Sequence, residues 1–363
     1  MNGQIYNPYY IFWSRIISML IWPFYFFCNL SRKSYSLDDE NINSILICQY
    51  HRIGDVFLIT PVLRSLKKRY PQAHVILLCC QGAEKLSRDL KFADEVIGVE
   101  VPWTNWNWSL IKWIKARSFA RHFRKRDIDI VIDFKGDLRN SWFLWHVRSK
   151  MSLGYIDTGG SFFYTHPQLS PTGVHQTERS LQLISHLGCD SIMLDGKEFN
   201  YKDQGAIVFH AGGTDPRRAW PENKWIKLAE ILSKNHQIAI VKTPETINLI
   251  QHMIDRDLMV EIFDGDLIKF KNWLRNQKML IGNDSMPGHL AAYLGIPAIS
   301  IFGSQDPKLT CPIGKWITII QPNESCEHKR NHWRLCQKCM GTIDAERVSF
   351  AVTNLLSRAQ AGE

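Results

Sequence analysis

The sequence predicts an α/β protein with two doubly wound parallel sheets, preceded by an apolar N-terminal segment. Two sets of alternating strand and helix patterns predict this class, one starting near residue 44 and the other near residue 205. The predicted strands are nearly continuous apolar runs, which is typical of strands buried on both faces of a parallel sheet. With 363 residues and 45% hydrophobic content, the chain is long enough for two domains and too apolar to be disordered.

The first set of patterns predicts an N-terminal domain over residues 41–190. Its strands are predicted at 44–50, 74–80, 94–101 and 128–134, and its helices at 62–70, 109–124 and 174–187. The polar interval 191–204 is predicted to be a linker.

The second set predicts a C-terminal domain over residues 205–363. Its strands are predicted at 206–213, 237–242, 259–263, 278–283 and 298–303, and its helices at 222–235, from 245, from about 287, and at 344–358. Ligands of doubly wound sheets bind outside the carboxyl ends of the strands, so the loops there are the candidate site.

The charge of the chain narrows its possible partners, and its cysteine content narrows the possible cellular compartment. The formal net charge of +9 predicts attraction to an anion, such as nucleic acid, a phospholipid surface or a phosphorylated substrate. No nucleic-acid docking motif is recognisable, so nucleic acid is not a predicted partner. Nine cysteines with scattered spacing do not form the framework of a small secreted domain, and they favour a reducing compartment.

The N-terminal segment, residues 1–40, is predicted to lie in the interface of an anionic membrane. Residues 9–30 are strongly apolar and aromatic. Arg15 in the middle of this run would be costly in a bilayer core, whereas the aromatic rings and Arg32 suit the headgroup zone. The run lacks the basic start and the small-residue end of a signal peptide. A transmembrane span and a helix packed on the body of the protein are the alternatives.

The stretch HRIGDVFLIT follows the first strand of the N-terminal domain. Gly54 permits a tight turn, and Asp55 would lie at the start of the next helix. There its carboxylate could cap the helix, or it could accept a proton from a sugar hydroxyl. If Asp55 accepts a proton from a sugar hydroxyl, His51, Arg52 and Gly54, together with Lys135 after the strand at 128–134, would bind the sugar that carries it, the acceptor.

Two stretches of the C-terminal domain are predicted to bind a phosphorylated ligand, which would be the donor if the protein transfers a sugar. In FHAGGTDPRRAWP, Gly212 and Gly213 allow a ligand close to the backbone, and Arg217 and Arg218 could neutralise a diphosphate or remain solvated. Thr243 is assigned to the same site.

In NDSMPGHLAAYL, the unpaired N–H groups and the dipole of a helix starting near Pro287 could hold a phosphate. Asp284 could accept hydrogen bonds from sugar hydroxyls or organise the loop, and Ser285 and His289 could donate. Gly288 belongs to the same predicted donor site, although a plain helix cap would also explain Asp284 and Ser285.

Five segments together resemble glycosyltransferase family 9, whose best-known members are the ADP-heptose:lipopolysaccharide heptosyltransferases. They occur in consistent order over residues 44–350: HRIGDVFLITPVLRSLKKRYP, VIDFKGDLRNSWFLWHVRSKMSLGY, HQTERSLQLISHLG, FHAGGTDPRRAWPENKW and NDSMPGHLAAYLGIPAISIFGSQDP. The resemblance implies a GT-B type fold with two Rossmann-like domains facing across a cleft. It further implies an acceptor-binding first domain, a nucleotide-sugar-binding second domain, no cofactor and no required metal.

The resemblance also implies roles for individual residues. Asp55 occupies the position of the proposed general base, and Arg218 stands where heptosyltransferases often have a lysine that balances the leaving diphosphate. Met286 replaces a glycine that family members commonly have. Glu178 and Arg179 match a Glu-Arg pair with a structural or acceptor-side role.

The function implied by the resemblance is inverting transfer of a heptose from ADP-heptose to the lipopolysaccharide core at the cytoplasmic face of the inner membrane. Two alternatives stay open. One is transfer of another nucleotide sugar, a hexose or hexosamine, to a surface glycan. The other is a catalytically silent nucleotide-sugar-binding subunit.

A cysteine-rich stretch lies outside these motifs. Cys326, Cys336 and Cys339 include a Cys-x-x-Cys pair and have Cys311, His328 and His332 nearby in sequence. They could assemble a structural zinc site. Because the sequence has only one close cysteine pair, it favours reduced thiols in a basic loop.

Overall fold

The computed structural model describes residues 7–30, 32, 35–36, 41–104, 109–192, 204–213, 215–324, 326 and 336–362. The chain divides into two compact units, Met1–Met193 and Leu194–Glu363. Each unit contains a six-stranded sheet in which every paired strand runs parallel to its neighbour. The prediction of two parallel-sheet α/β domains is confirmed. Most of the predicted linker, residues 193–203, lies outside the described residues.

The first unit carries strands β1 to β6 and helices α1 to α7. The strands are Ser44–Gln49, His74–Cys80, Glu95–Val99, Ile130–Asp133, Met151–Tyr155 and His166–Gln168. The helices are Pro8–Asn29, Ile53–Leu58, Thr60–Arg69, Gln81–Asp89, Leu110–His122, Leu138–Val147 and Gln176–Ser185. Its sheet has the order β3-β2-β1-β4-β5-β6.

The second unit carries strands β7 to β12 and helices α8 to α14. The strands are Ile207–His210, Ile238–Val241, Val260–Phe263, Met279–Asn283, Ala298–Ile301 and Ile317–Ile320. The helices are Glu222–Leu232, Ile247–Ile254, Leu267–Leu274, Met286–Leu294, Pro307–Thr310, Lys338–Gly341 and Ala345–Ala361. Its sheet order, β9-β8-β7-β10-β11-β12, repeats the order of the first unit. Both are the Rossmann order, whose switch point lies between the first and fourth strands of each sheet.

The strands form the core because their side chains are apolar on both faces. Ile45, Leu46 and Ile47 of β1 are completely buried, and so are Leu280 and Ile281 of β10. Burying each such side chain contributes about 1.5–3 kcal/mol. The continuous apolar runs that predicted parallel strands are therefore the central strands of the two sheets.

Sequence patterns missed several shorter or fully buried elements. Helix α6 was not predicted because eight of its ten residues are buried, so it shows no one-sided apolar stripe. Strand β6 has only three residues, one of them Pro167, and β12 has four. Helices α4 and α10 and strand β5 were also missed.

Helix α1 packs along the first unit with one side and exposes the other. The Tyr10 hydroxyl donates to Asp137 Oδ1 (3.1 Å) near the start of the helix, and Asn29 Nδ2 donates to the Phe162 carbonyl (2.6 Å) at its end. Between them, the Tyr25 ring lies 4.9 Å from that of Trp145. The exposed side carries large apolar residues: Tyr9, Phe12, Trp13, Ile17, Met19, Leu20, Trp22, Phe24, Phe26 and Phe27. By length and hydropathy this helix could also cross a bilayer.

Candidate functional site

The switch point of the first unit brings Asp55 and Lys135 together. Strand β1 leads into α2, which carries Asp55, and the adjacent parallel strand β4 leads into the loop with Lys135. Since parallel strands end at the same edge of the sheet, the two loops are neighbours. Lys135 Nζ lies 2.9 Å from Asp55 Oδ2, and both side chains are largely buried.

The Lys135 ammonium determines the charge state of Asp55. Burial, the largest single effect, raises the pKa of Asp55, but the charge and hydrogen bond of Lys135, with smaller effects of His51 and Arg52, together lower it below its usual value. Asp55 is therefore ionised at neutral pH. The ion pair with Lys135 holds this carboxylate in place.

The other residues predicted for this site occupy distinct positions around Asp55. Arg52 is the exposed N-cap residue of α2, and Gly54 lies inside the first turn of that helix rather than in a separate turn. Asp55 does not cap α2, because it lies in the first turn and Arg52 holds the N-cap position. Burial, and then Lys135, lowers the pKa of His51 to about 4, so His51 is neutral at physiological pH. Its Nδ1 is buried without a hydrogen-bond partner among the described residues.

A buried polar network, not predicted from the sequence, holds the loop that carries Lys135. Asp133 at the end of β4 is fully buried, and burial raises its pKa to about 6. It accepts hydrogen bonds from the Tyr164 hydroxyl (2.5 Å) and from the backbone N–H of Lys135 (2.9 Å). Gly136 has φ of +68°, and a Cβ there would lie 2.9 Å from the Tyr155 carbonyl oxygen, so the loop needs glycine. The stretch DFKGD contains this signal.

Arg179 also holds this loop in place through its hydrogen bonds. Its guanidinium donates to the carbonyl of Phe134 and to Asp157 Oδ2 (2.5 Å), and the residue is 5% exposed. Glu178 instead accepts a hydrogen bond from Gln182 on the surface. Of the two roles implied for the Glu-Arg pair, Arg179 thus has the structural one.

The switch point of the second unit joins Arg218 and Asp284. Arg218 follows β7 and Asp284 follows the adjacent strand β10, and Arg218 Nη1 donates to Asp284 Oδ2 at 2.9 Å. The Asp284 side chain is 7% exposed, and that of Arg218 is 25% exposed. Arg218 Nε has no hydrogen-bond partner among the described residues. The ion pair thus keeps the arginine in place, while its Nε–H group has no acceptor in the described part of the chain.

Arg217 differs from Arg218 in its partner and in its exposure to solvent. It pairs with Asp215 two residues earlier, at 2.7 Å, and about half of its side chain is exposed. Arg217 therefore remains solvated, which was one of the two alternatives predicted for it.

Helix α11 begins beside this pair. Ser285 is its N-cap residue but makes no side-chain cap, and its hydroxyl donates to the Asn283 carbonyl (3.1 Å). His289 is buried within the helix. Gly288 faces the sheet, since a Cβ there would lie 2.6 Å from Ser300 Oγ on β11. Glycine at this position therefore allows α11 to pack closely on the sheet.

The loops after β7 and β8 pack closely on each other. A Cβ on Gly212 would lie 2.4 Å from Thr243 Oγ1, so glycine lets the two loops touch, whereas a Cβ on Gly213 would meet nothing within 4 Å. Thr243 starts the next helical turn in a capping box with Thr246. Of these predicted donor residues, Gly213 therefore borders open space, and Gly212 and Thr243 shape the loops.

Two successive Rossmann-type units, each with charged side chains at its switch point, form the architecture of the two-domain glycosyltransferases. The solved structure of E. coli heptosyltransferase WaaC with ADP has this fold: its TM-score is 0.69 at 18% identity, covering 86% of this chain and 99% of that chain. The chain belongs to glycosyltransferase family 9 (heptosyltransferase), whose family model matches residues 116–339. The family predicted from the motifs is confirmed.

Curated relatives are similar over most of their length. Lipopolysaccharide heptosyltransferase 1 of Pseudomonas aeruginosa is 23% identical over 293 residues, covering 75% of this chain and 81% of that protein. Lipopolysaccharide heptosyltransferase 3 of Escherichia coli (strain K12) is 23% identical over 339 residues, covering 85% of this chain and 96% of that protein.

Proposed function

We propose that the protein is an inverting glycosyltransferase that moves a heptose from ADP-heptose to the lipopolysaccharide core, with Asp55 as the general base. The Asp55–Lys135 pair carries this proposal, because it keeps a carboxylate ionised at the edge of a sheet where ligands of this fold bind. Family membership supports the sugar class. The names of the two curated relatives support the lipopolysaccharide acceptor.

The proposed step is a single displacement. Asp55 accepts the proton of an acceptor hydroxyl while the hydroxyl oxygen attacks the anomeric carbon of the heptose. The bond between that carbon and the diphosphate breaks, and its electron pair leaves with ADP. Attack opposite the leaving group inverts the anomeric configuration. His51, Arg52 and Gly54, which surround Asp55, are proposed to position the acceptor.

The diphosphate is proposed to bind Arg218 and the first turn of α11. The uncapped N–H groups and dipole of that turn favour an anion, and Arg218 adds a charge-assisted donor. Asp284 would repel a phosphate, so its proposed role is to hold Arg218. Gly213, Thr243, Ser285 and His289 belong to the same proposed site. Fixed positive charge then stabilises the leaving ADP without a cofactor or a catalytic metal.

A donor panel tests this function. Purified protein with ADP-heptose and a truncated lipopolysaccharide core is expected to give a product heavier by one heptosyl residue in mass spectrometry. NMR of the product is expected to show the inverted anomeric configuration. Consumption of only a UDP-hexose or UDP-hexosamine would replace the proposal with the other transferase. Donor binding with no product from any donor would assign a silent binding subunit.

Helix α1 is proposed to lie in the interface of the inner membrane, on its cytoplasmic side. Its contacts with the first unit, at Tyr10 and Asn29, are 19 residues or about 28 Å apart. A helix held along its whole length by a polar domain cannot enter a bilayer core without that domain, which favours an interfacial position over a span. Nine free thiols suit a reducing cytoplasm.

Basic residues next to α1 suit an anionic headgroup layer. Burial is the largest cause that lowers the pKa of His146 to about 3, and the positive charges of four nearby arginines lower it further. These are Arg117, Arg121, Arg124 and Arg148. All four are exposed, and none pairs with a carboxylate in the described part of the chain. Arg148 lies 3.9 Å over the Trp145 ring, which contacts α1. Leu110, Ile111 and Ile114 on α5 are further exposed apolar residues of the first unit.

Vesicle flotation tests the membrane proposal. Wild-type protein is expected to float with anionic phosphatidylglycerol vesicles and to bind neutral phosphatidylcholine vesicles less. Arg117→Gln with Arg121→Gln is expected to weaken anionic binding about 30-fold, since each arginine near the surface contributes about 1 kcal/mol. Leu20→Glu with Phe24→Glu is expected to abolish it, because these side chains are 76% and 65% exposed on α1.

The control is Phe350→Glu, which makes the same kind of substitution, with one negative charge instead of two, at a 69% exposed apolar residue of α14. This variant should bind like wild type. Equal binding to both vesicle types by all variants would contradict an anionic interface, and resistance of α1 to extraction at high salt and high pH would indicate a span instead.

A further inference from the structure

Three cysteine side chains converge in the second unit, and none of them is a residue of the proposed donor site. The Sγ atoms of Cys326, Cys336 and Cys339 all lie within 4.8 Å of one another, and none of the three forms a disulfide. Cys339 is buried, and the other two are half-buried. The sequence alone had favoured separate thiols because it showed only one close pair. His328 and His332 lie outside the described residues.

The spacing of these sulfur atoms is close to that of a metal site. A tetrahedral zinc ion with Zn–S bonds of about 2.3 Å places its sulfur ligands about 3.8 Å apart. Rotations of the cysteine side chains that shorten the sulfur–sulfur distances by at most about 1 Å would reach this geometry. Soft thiolate ligands select zinc over the hard cations Mg²⁺ and Ca²⁺, which prefer oxygen.

We propose that Cys326, Cys336 and Cys339 bind a structural Zn²⁺ ion as thiolates. Binding releases three thiol protons to solvent, and the sulfur atoms become three of the four ligands of a tetrahedral ion. The fourth position takes a neutral ligand. The ion joins Cys326 to the segment that starts at Cys336, which are ten residues apart in sequence.

This segment supports the backbone that carries the proposed donor site. The N–H of Cys336 donates to Ser304 Oγ (2.8 Å) in the loop after β11. Farther along, the carbonyl of Ile343 accepts a hydrogen bond from Trp220 Nε1 (3.0 Å). Trp220 follows Arg218 by two residues. The zinc ion therefore stabilises the surroundings of Arg218 without contacting a substrate. This consequence rests on the proposed function, whereas the metal site does not.

Metal analysis of the full-length protein tests the site. Inductively coupled plasma mass spectrometry is expected to find one zinc ion per chain after purification without added metal. Chelated wild-type protein titrated with Co²⁺ is expected to develop thiolate-to-cobalt charge-transfer absorption and the intense visible bands of a tetrahedral site. The thermal unfolding midpoint of the zinc-free protein should be lower and should recover when Zn²⁺ is added.

Cysteine variants locate the ion. Cys336→Ser and Cys339→Ser are expected to lower the zinc content at least tenfold. Cys80→Ser, at a half-buried thiol of the first unit, is the control and should keep the ion. Circular dichroism identifies variants that fail to fold. The Co²⁺ titration needs no variant, so it decides the question even if both serine variants unfold.

Three results would contradict the proposed zinc site. The first is that folded protein without metal has all three thiols open to alkylation. The second is a disulfide between two of these cysteines in freshly reduced and purified protein, and the third is iron instead of zinc bound to their thiolates. Zinc content is measured without donor or acceptor. A zinc-containing protein without transferase activity would therefore contradict only the proposed function, and an active protein without zinc would contradict only this inference.

Discussion

Asp55→Asn is expected to lower kcat by roughly 100- to 10,000-fold and to leave donor affinity unchanged. Asparagine keeps the shape of the side chain and can still accept a hydrogen bond from Lys135, but it cannot take a proton from the acceptor hydroxyl. Single-turnover kinetics and calorimetric titration with ADP separate the two effects. The control is Asp94→Asn, which neutralises an aspartate in the Lys67–Asp94 surface ion pair of the same unit and should leave kcat unchanged.

The pH dependence of the rate tests the same assignment through Lys135. Because Lys135 opposes the effect of burial and lowers the pKa of Asp55 below its usual value, wild-type activity should persist below the pH range in which an aspartate usually titrates. In Lys135→Met, burial acts without the opposing charge, so the pKa of Asp55 rises and the acid limb of kcat/KM moves to higher pH. An unchanged acid limb in this variant, or a fully active Asp55→Asn, would remove Asp55 from the mechanism.

Arg218→Ala is expected to weaken donor binding by roughly 10- to 100-fold, or about 1.4–2.7 kcal/mol. The variant loses a charge-assisted donor, and it also leaves the buried Asp284 carboxylate without its arginine beside a bound diphosphate. Adding Asp284→Asn should recover part of the affinity, because this second change removes the repelling charge. The dissociation constant for ADP measured by calorimetry checks each step.

Arg217→Ala is the matched control for this prediction. Arg217 is adjacent in sequence, carries the same charge, and is paired with Asp215 on the surface. Its removal should change donor affinity less than threefold, in the range of surface charge effects. Equal losses in the two alanine variants would show that general positive charge, rather than the placed Arg218, attracts the donor.

Local patterns in the sequence were sufficient for the two sheets and most of their strands. A parallel strand buried on both faces is a continuous apolar run, so such strands can be predicted without tertiary information. This was the case for β1, β2, β7 and β10. The family motifs then pointed to the carboxyl ends of those strands, and Asp55, Arg218 and Asp284 lie there. Helix α6 escaped prediction because it is buried on nearly all sides, which removes the periodic contrast that identifies a helix.

Partners across the chain were decided only by the tertiary structure. Sequence placed Asp55 and Lys135 in two separate motifs 80 residues apart, but the pairing of β1 with β4 is what joins them and sets the charge state of the carboxyl group. The same holds for Arg218 with Asp284, for Arg179 under the Lys135 loop, and for the three converging cysteines. The physical reason is that apolar periodicity reflects burial along one element, whereas ion pairs and ligand clusters depend on which elements the sheet order makes neighbours.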